Sequence, residues 1–560
     1  MARAAFCMVA IALCVQPTDA AATEHHICDC ATGADVDCQP GDDGATGSST
    51  DPWRSYEKAR TEFAALAPDD AIRFCRGGAW NITAGTRWVN QSCRASSPCV
   101  VGDYWALWSS GDEPRPILRR LDGAHGFALE DGGNAEHEEG YLFENLDLRG
   151  AGTDAGWGFF LYNDIDDVTI RNLAISGFAI GVHLAGSNAC SVSDPQCDGR
   201  NERITLRDST LFDNSRQGWL GASSGSQILF NHFEGNGSTA VFDHNIYVSG
   251  SSGGQTQGIR VIGNKLHRST LDAAGTCQGV SLVVHGEHDD LRIEGNEIWE
   301  DVGFAGQGCW GIAVDNGYSE PESFTNVVIG GNIVRNVGNV AIGVGACADC
   351  VIETNIILHD QPFGVTAIAA PDRSLGAGDQ PQDDILVRNN SIWIGPVGGG
   401  TAISVRDMGD DHGIVSNAIH YAGTSSSFNC LRADLPTSSY QDIDFNVCYF
   451  PDAVGAEWAD GIGSSPDPLS AWQAASGFGG QSQMTDPGFA DPVAYDLSAK
   501  SATAAIVDSG HPTLSSPLEI NGWPRDAMPD VGAYEWSVRG WLFADGFESG
   551  DSLAWSKLVP

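Results

Sequence analysis

The residues best suited to proton transfer are concentrated in one short segment, VFDHNIYVSG at 241–250. His244 and Tyr247 lie there together, directly after Asp243. Lysine is scarce in this chain, and Lys265 is the one lysine between residues 140 and 450. Histidine, tyrosine and lysine act as acids and bases when burial or a nearby charge moves their pKa. These residues predict general acid–base catalysis by His244, Tyr247 and Lys265, although Lys265 fits a solvated surface position equally well.

A repeated phrase supplies the framework for these residues. It combines two aliphatic residues at alternate positions, a polar residue that is usually Asn, and a second apolar pair. Such short strands joined by bends, at spacings too variable for a helical repeat, predict a coiled parallel β-solenoid whose stacked rungs share one core. Aligned Asn residues are expected to form a ladder of hydrogen bonds between rungs. The polar positions are Asn172, Asp208, Asn231, Asn264, Asn296, Asn332, Asn355, Asn390 and Asn417.

A second phrase, with period-two alternation, lies between copies of the first. It includes AIGVHLAG (179–186), NIYVSG (245–250), GVSLVVHG (279–286) and GIAVDNG (311–317). Strict alternation indicates strands with one buried face. Aligning these strands predicts that Ile246, Val248, Val280, Leu282, Ile312 and Val314 point into the core. It places His183, Tyr247, Ser281, Ala313 and Asp315 on the outer face.

Composition and charge exclude several classes of function. The 560 residues include 73 acidic and 30 basic side chains, for a formal charge of −43. Without a basic surface, binding to nucleic acid is not expected, nor is docking on an anionic membrane. With 42% hydrophobic and 18% charged residues, the chain is expected to fold rather than remain a disordered acidic polymer.

The N-terminus and the cysteines predict export. Residues 1–22 combine one Arg, a short apolar run and small residues, which is typical of a secretory signal peptide. No segment is long enough to predict a membrane-spanning helix. Fourteen of the sixteen cysteines follow residue 22. In an exported chain they predict disulfides, including Cys93–Cys99, Cys190–Cys197, Cys347–Cys350 and Cys430–Cys448.

Two further segments carry a resemblance to a known family. Residues 41–78 read GDDGATGSSTDPWRSYEKARTEFAALAPDDAIRFCRGG, and 485–536 begins TDPGFADP and ends DVGAYEW. Together with the repeats, they resemble the entry and the closing module of right-handed parallel β-helix proteins of the pectate-lyase-like superfamily. The resemblance implies an all-β, right-handed parallel β-helix of roughly ten or eleven rungs with a short N-terminal capping helix. Residues 541–556 are similar to the DGFESGD-type tails of exported bacterial proteins.

The expected division of the chain follows from these segments: a signal peptide at 1–22, a cap with the first rungs at 23–139, repeats at 140–450, a closing module at 451–536 and a tail at 537–560.

The resemblance implies an extracellular polysaccharide as the ligand. No NTD, GHG or RIK phrase of polygalacturonase-like hydrolases is present, and the RxPxxR phrase of pectate lyases is also missing. If the chain is an enzyme, elimination or C5 epimerisation at a uronic acid is favoured over hydrolysis. Both of these reactions begin with removal of the C5 proton, for which His244, Tyr247 or Lys265 could serve as base or acid. A non-catalytic solenoid that binds carbohydrate at the cell surface is the alternative.

The remaining expectations concern ligands and assembly. We expect a secreted or cell-surface monomer, with Ca²⁺ as the cofactor of a site that binds an acidic sugar. Asp315 and Glu287 are the candidate metal ligands. The candidate substrate-binding residues are His183, Asp243, His285, Trp299 and Arg406.

Overall fold

The fold is built from three parallel β-sheets that run the length of a β-helix. The structure is a computed structural model. It describes residues 22–536 apart from 131–137, 187–198, 239–241, 251–254, 318–319, 425–427, 452–456 and 463–467. Residues 1–21 of the predicted signal peptide, the tail at 537–560 and the cysteines of the predicted Cys190–Cys197 pair lie outside the described residues.

Each turn of the chain contributes one strand to each sheet in succession, so every neighbouring pair within these sheets is parallel. Sheet A contains Glu24–Ile27, Ala71–Cys75, Cys99–Tyr104, Glu138–Glu144, Ile165–Arg171, Thr205–Arg207, Gln227–Leu229, Arg260–Ile262, Arg292–Glu294, Ser323–Gly330, Cys347–Glu353, Asp383–Arg388, His412–Val415 and Tyr440–Asp444, with Thr256–Gln257 and Glu287–Asp289 alongside. Sheet B contains Ala79–Ile82, Ile117–Arg120, Asp147–Arg149, Ala174–Ser176, Thr210–Phe212, His232–Glu234, Lys265–His267, Glu297–Trp299, Ile333–Arg335, Ile356–His359, Ser391–Ile394, Ala418–Tyr421, Val447–Tyr449 and Gln483–Met484.

Sheet C carries the second repeated phrase. It contains Phe127–Glu130, Trp157–Tyr162, Ile180–Ala185, Gln217–Leu220, Ile246–Ser249, Val280–His285, Trp310–Val314, Val340–Val344, Gly364–Ala370, Gly399–Val405, Asn429–Arg432 and Glu457–Asp460. The β-helix prediction is confirmed. The described part holds 12 strands in sheet C and 14 in sheet B, more than the ten or eleven predicted rungs, because turns at both ends, such as those of Ala79–Ile82, Ile117–Arg120 and Gln483–Met484, lack the Asn phrase.

Helices are short and lie at the ends of the solenoid. The predicted capping helix is Tyr56–Phe63, whose N-cap Ser55 accepts a hydrogen bond from the Lys58 amide. Tyr56, Ala59 and Phe63 are buried against the first strands. The other helical elements are Leu469–Ser476 and the 3₁₀ turns Thr437–Ser439 and Pro492–Ala494, and the hairpin Phe489–Asp491 with Asp496–Ala499 belongs to the closing segment.

The core consists of aliphatic side chains stacked in register. In sheet A, Ile170, Leu206 and Ile228 are paired on successive strands, and none of them is exposed to solvent. Strands about 4.8 Å apart bring such side chains into van der Waals contact, so each rung buries the face of the next.

The predicted Asn ladder is present, with two corrections at its start. Asn172 does not belong to it, because it takes a positive φ of 56° at the bend, and Leu173, the next residue, occupies the ladder column. The Asn264 amide donates to Asn296 Oδ1 at 2.9 Å, and Asn264 Nδ2 donates to Ile228 O at 2.8 Å. Asp208, expected to fill one place, does not: Ser209 accepts from the Leu173 amide and donates its own amide to Asn231 Oδ1. Asp208 takes a positive φ of 52° at the bend, one residue earlier.

Disulfides tie several loops to the solenoid. The predicted Cys93–Cys99, Cys347–Cys350 and Cys430–Cys448 pairs are confirmed. The cysteines near the mature N-terminus form Cys28–Cys75 and Cys30–Cys38. Cys277–Cys309, which the sequence did not predict, joins two excursions between rungs.

Candidate functional site

A pocket of about 280 Å³ lies on the outer face of sheet C, where the strands Ile246–Ser249, Val280–His285 and Trp310–Val314 are adjacent. Strand register places Tyr247, Val283 and Ala313 in one outward column and pairs Ser249 with His285 in the next. The pocket is lined by Phe242, His244, Tyr247, Gln278, Gly279, Val280, Val283, His285, Gly308, Trp310, Asp315, Gly317 and Arg373.

One inward prediction is wrong in this region. Val280 packs on the outer face with Tyr247 and Val283, in register with Trp310. Ser281, predicted to point outward, is buried with Leu282, because the regular alternation begins only after the first residues of this strand.

Tyr247 is the centre of the pocket. Its ring lies 5.2 Å from the ring of His244 and 5.7 Å from that of His285, both edge-on. Tyr247 is 7% exposed, and both histidines are also buried. The structure therefore brings together three of the residues predicted from sequence, on two neighbouring turns of the chain.

His244 is held as a neutral imidazole in one tautomer. Its Nδ1 lies 2.8 Å from the carbonyl oxygen of Val280, which accepts hydrogen bonds only, so Nδ1 carries the proton. The other ring nitrogen, Nε2, is then a proton acceptor. Burial lowers the pKa of His244 to about 4, the Val280 contact opposing this shift, so the ring stays uncharged at neutral pH.

A buried carboxylate supports His285. Glu322 Oε1 lies 3.1 Å from His285 Nδ1, and the Glu322 side chain has no exposed surface. The Glu322 backbone is anchored by Asp379, whose Oδ1 accepts from the Glu322 amide at 3.0 Å. A carboxylate on one ring nitrogen fixes the orientation and the tautomer of an imidazole. Glu322 was not predicted, because it lies in a loop between rungs.

Arg373 supplies positive charge at the pocket. Its guanidinium binds Asp315 Oδ2 at 2.6 Å and lies 5.1 Å above the Trp310 ring. The Arg373 side chain is 42% exposed, so it is accessible to an anion in the pocket. Burial raises the pKa of Asp315, while Arg373 opposes that shift. Arg373 and Trp310 were also missing from the predicted site.

Two predicted residues lie on a different face of the solenoid. Lys265 and Trp299 belong to sheet B, and neither lines the pocket. Lys265 is exposed and lies opposite Glu297 in the register of the neighbouring strand. Trp299 stacks on His267 with ring centres 4.6 Å apart. The predicted grouping of Lys265 with His244 is therefore absent from the structure.

Other predicted binding residues lie along sheet C or behind it. His183 is two strands before Tyr247 in the same column, about 10 Å away. Arg406 is paired with Asp407 and follows the strand Gly399–Val405, beyond the pocket. Asp243 is buried, and its carbonyl oxygen accepts from the Thr270 hydroxyl.

The outer face of sheet C carries an aromatic group beside His183. Trp157 stacks on His125 at 4.4 Å and contacts Phe160 at 4.4 Å, and Phe160 stacks on Tyr162 at 5.4 Å. These rings are partly exposed. Phe160, His183, Leu220 and Tyr247 follow one another in register, so the aromatic group and the pocket share one strip of surface.

The candidate metal ligands are separated. Asp315 is 2% exposed beside Arg373, whereas Glu287 is exposed at the start of the sheet A strand Glu287–Asp289. Among the described residues, the one group of three His, Cys, Asp or Glu side chains with closely spaced ligand atoms is Cys277, Glu300 and Cys309, and its cysteines form a disulfide. A hard cation at Asp315 therefore needs ligands other than Glu287.

In the described ranges, no helix has the length and apolarity that crossing a membrane requires.

Comparison with known proteins finds a number of similar solved structures, three of which are described below. No protein-family model and no curated protein sequence matches this chain. Pectate lyase Pel9A is 12% identical, with 92% of this chain and 98% of that one covered and a TM-score of 0.35. The A-module of mannuronan C-5 epimerase AlgE4 from Azotobacter vinelandii is 13% identical over 79% of this chain and 98% of that one, with a TM-score of 0.36.

The third is the GH136 lacto-N-biosidase from Eubacterium ramulus, 12% identical over 78% of this chain with a TM-score of 0.36. The chain spans 66% of the length of that protein. The assignment of the fold to this chain rests on the pairing of the three sheets described above.

Proposed function

We propose that this protein removes the C5 proton of a uronic acid residue in an extracellular polysaccharide, as a β-eliminating lyase or a C5 epimerase. The observation that carries the proposal is the Tyr247 ring held between His244 and His285, at 5.2 and 5.7 Å, in a pocket that Arg373 also lines. Proton removal beside a carboxylate needs a base, a proton donor and positive charge for the developing enolate. The pocket contains one residue for each role.

His244 is the base in this proposal. Its Nε2 has a free lone pair because Nδ1 donates to Val280, and burial keeps the ring neutral. In elimination, Nε2 takes the C5 proton, the C5–H electron pair forms the C4=C5 double bond, and the C4–O4 bond breaks. Tyr247 donates its proton to O4. In epimerisation, Tyr247 instead returns a proton to the opposite face of C5.

Arg373 binds the uronate carboxylate. Negative charge moves onto this carboxylate when the C5 proton leaves, so a guanidinium there stabilises the transition state more than the ground state. Asp315 and Trp310 hold the guanidinium at 2.6 and 5.1 Å. A planar guanidinium can still offer two parallel N–H groups to a carboxylate.

The surface around the pocket favours a polymer as the substrate. The aromatic group of Trp157, Phe160 and Tyr162 lies about three strands from Tyr247, or about 14 Å. Aromatic rings stack on the apolar faces of sugars. A chain of several sugars lying along sheet C would contact both places.

The disulfides support an extracellular location. Six are present in the described part of the chain. Disulfides persist in oxidising compartments and are rare in the cytosol. Together with the signal-like N-terminus, they favour secretion or display at the cell surface.

The first experiment incubates the protein with a panel of acidic polysaccharides in D₂O, with and without Ca²⁺. Ultraviolet absorbance detects the unsaturated uronate that a lyase produces, and NMR detects deuterium at C5 without chain cleavage, as an epimerase would give. If no uronate polymer gives either signal, the proposal is overturned. Binding without turnover would favour the carbohydrate-binding alternative.

Variants then test the roles of the residues. Tyr247→Phe and His244→Ala should each lower kcat by about 10²- to 10⁴-fold, the usual effect of losing general acid–base catalysis. Arg373→Ala should lower kcat and also raise KM for the uronate polymer, because the guanidinium binds the substrate carboxylate and stabilises the transition state more than the ground state. Lys265→Ala is the matched control, because Lys265 is exposed on sheet B and we expect it to leave kcat unchanged. Loss of turnover in the Lys265 variant, with Tyr247→Phe fully active, would move the site to sheet B.

A further inference from the structure

A group of buried oxygen atoms lies at the edge of the pocket, where sheet C meets the loop that carries Arg373. Asp315 and Asn316 follow the strand Trp310–Val314, and the next strand, Val340–Val344, leads into Gly345. Asp372 crosses the end of this second strand, its amide donating to Val344 O at 3.3 Å. Three side chains that are far apart in sequence therefore meet at one end of two neighbouring strands.

Four oxygens of these side chains are buried with no hydrogen-bond partner among the described residues: Asp315 Oδ1, Asn316 Oδ1 and both oxygens of Asp372. Asp315 is 2% exposed and Asn316 is 4% exposed. The backbone N–H groups nearest the Asp372 carboxylate are its own and that of Arg373, and neither makes a hydrogen bond of normal geometry with it. A buried acceptor left unpaired destabilises the fold, and a buried carboxylate left unpaired does so more strongly.

Two glycines show that the Asn316 and Asp372 oxygens converge on one place, and the Asp315 carboxylate is close enough to Asp372 to interact with it electrostatically. A Cβ atom on Gly345 would lie 2.1 Å from Asn316 Oδ1 and 3.2 Å from Asp372 Oδ1. A Cβ atom on Gly343, on the same outer face, would lie 2.8 Å from Asp372 Oδ2. The space in front of the strand is thus taken up by oxygen atoms, and a side chain there would displace them.

Hydrogen bonds of the neighbouring groups aim the Asn316 oxygen into this space. Asn316 Nδ2 donates to Ser374 O at 2.9 Å and to Asp379 Oδ2 at 3.2 Å, which fixes the amide and leaves Oδ1 on the opposite side. Negative groups predominate around it, since Asp315, Asp372, Asp379 and Glu322 face the single guanidinium of Arg373 and the imidazole of His285.

We propose that a divalent cation of the hard, oxygen-binding class, Ca²⁺, binds among Asp315 Oδ1, Asn316 Oδ1 and the Asp372 carboxylate. Carboxylate and amide oxygens are the ligands that Ca²⁺ takes, and every unpaired atom here is such an oxygen. Because these oxygens are closed to solvent, the cation does not bridge to a sugar; it ties the loop of Asp372 to sheet C. This site keeps the predicted ligand Asp315 and replaces Glu287 with Asn316 and Asp372.

The cation would also position a residue of the pocket. Arg373 follows Asp372 directly, so a cation that fixes Asp372 fixes the start of the Arg373 side chain above Trp310. This second part rests on the proposed function, whereas the cation site itself does not require any catalytic activity.

The test measures Ca²⁺ binding to the purified full chain without polysaccharide. After treatment with EDTA, the chain is titrated with CaCl₂ or MgCl₂ in a calorimeter, and its melting temperature is recorded at each concentration. We expect Ca²⁺ to bind and raise the melting temperature, and Mg²⁺ to do so more weakly, because a buried protein cage suits the flexible coordination of Ca²⁺.

Variants locate the site. Asp372→Asn, which keeps the shape of the side chain, should weaken Ca²⁺ binding at least tenfold, and Glu287→Gln, at an exposed residue of sheet A, should not change it. The cation site is wrong if adding Ca²⁺ gives no heat of binding and leaves the melting temperature unchanged. It is also wrong if the Asp372→Asn variant binds Ca²⁺ as tightly as the natural chain does. If Asp372→Asn is more stable than the natural chain and neither chain responds to Ca²⁺, the cation site is also wrong, and a proton on Asp372 is what pairs the buried oxygens.

The two proposals can fail separately. Ca²⁺ binding that is retained in a chain with no activity on any uronate polymer would overturn the proposed function alone. Activity that persists unchanged in EDTA, with no Ca²⁺ binding, would overturn the cation site alone.

Discussion

Glu300 is a buried acid whose ionisation should make the fold sensitive to pH. Its side chain lies beside the Cys277–Cys309 disulfide, and the Ser269 amide donates to Oε1 at 3.1 Å. Oε2 is buried with no hydrogen-bond partner among the described residues. Burial raises the pKa of Glu300 from 4.5 to about 8, with the Ser269 hydrogen bond opposing the shift and the charge of Asp301 adding to it.

The sign of the effect follows from the two pKa values. Between pH 4.5 and about 8 the folded chain keeps the Glu300 proton and the unfolded chain releases it, so stability is fully present below pH 4.5 and is lost as pH rises. One pH unit within this window corresponds to about 1.4 kcal/mol. Across the three units from about pH 5 to about pH 8, the folded state should therefore lose on the order of 4 kcal/mol through Glu300 alone.

Glu300→Gln removes this dependence, because an amide keeps the shape and the acceptor for Ser269 but cannot ionise. We expect the variant to match the natural chain near pH 5 and to exceed it by about 4 kcal/mol near pH 8. Urea unfolding followed by tryptophan fluorescence, with disulfides kept oxidised, measures the difference at each pH. Asp530 and Asp166, whose pKa values burial also raises, act equally in both chains and cancel.

The control is Glu287→Gln, at an exposed glutamate whose loss should leave the pH profile parallel to that of the natural chain. Parallel profiles for Glu300→Gln as well would refute the reasoning, since they would mean that Glu300 does not hold a proton in the fold.

Three further outcomes are expected. Asn332→Ala removes a ladder side chain that accepts a hydrogen bond from the Asn296 backbone amide and donates one to Ile293 O. It should lower the free energy of unfolding in urea by about 2–4 kcal/mol. Asn81→Ala, at an exposed strand position, is the control and should change it little. Because the protein carries a charge of −43, kcat/KM on an anionic polymer should rise as NaCl increases from about 0.01 to about 0.15 M; a fall would indicate that a local basic surface dominates. Glu322→Gln should lower kcat about tenfold and change its pH profile with little effect on KM, because Glu322 orients His285, whose ring packs edge-on against the proposed proton donor Tyr247; an unchanged pH profile would contradict this positioning role.

The fold could be predicted because its evidence is repeated many times in the sequence. The side-chain amide of each Asn in the ladder donates to a carbonyl oxygen of the turn before it, so the same residue type is needed at every bend, from Asn231 to Asn417. The exception shows the limit of the pattern: Ser209 replaces the amide with a hydroxyl one residue after Asp208. At each bend, the residue with a positive φ and the next residue, which joins the ladder, both favour polar side chains. Sequence spacing alone therefore does not show which of the two adjacent positions belongs to the ladder.

Some residues of the candidate pocket could be placed together from the sequence, and the geometry of stacked strands explains why. Tyr247 and His285 lie on strands, where the period-two pattern fixes which side chains share the outer face, and His244 directly precedes one of these strands. Glu322, Arg373 and Asp372 lie in loops between strands, whose lengths differ from turn to turn, so no periodicity relates them to the strands they contact.

Lys265 illustrates the opposite error. It lies in the second half of the Asn phrase, which supplies a strand of sheet B, whereas His244 precedes a strand of sheet C. Residues of the two phrases alternate along the chain but face different sides of the solenoid, so closeness in sequence does not bring them together. A site on a β-helix is therefore assembled from equivalent positions one turn apart, as with Ser249 and His285, together with the loops at the ends of those strands. The segments after Val314 and Ala370 place Asp315 and Arg373 in the pocket with His244 and His285, so we expect the proposed chemistry to depend on these two segments as much as on the strands.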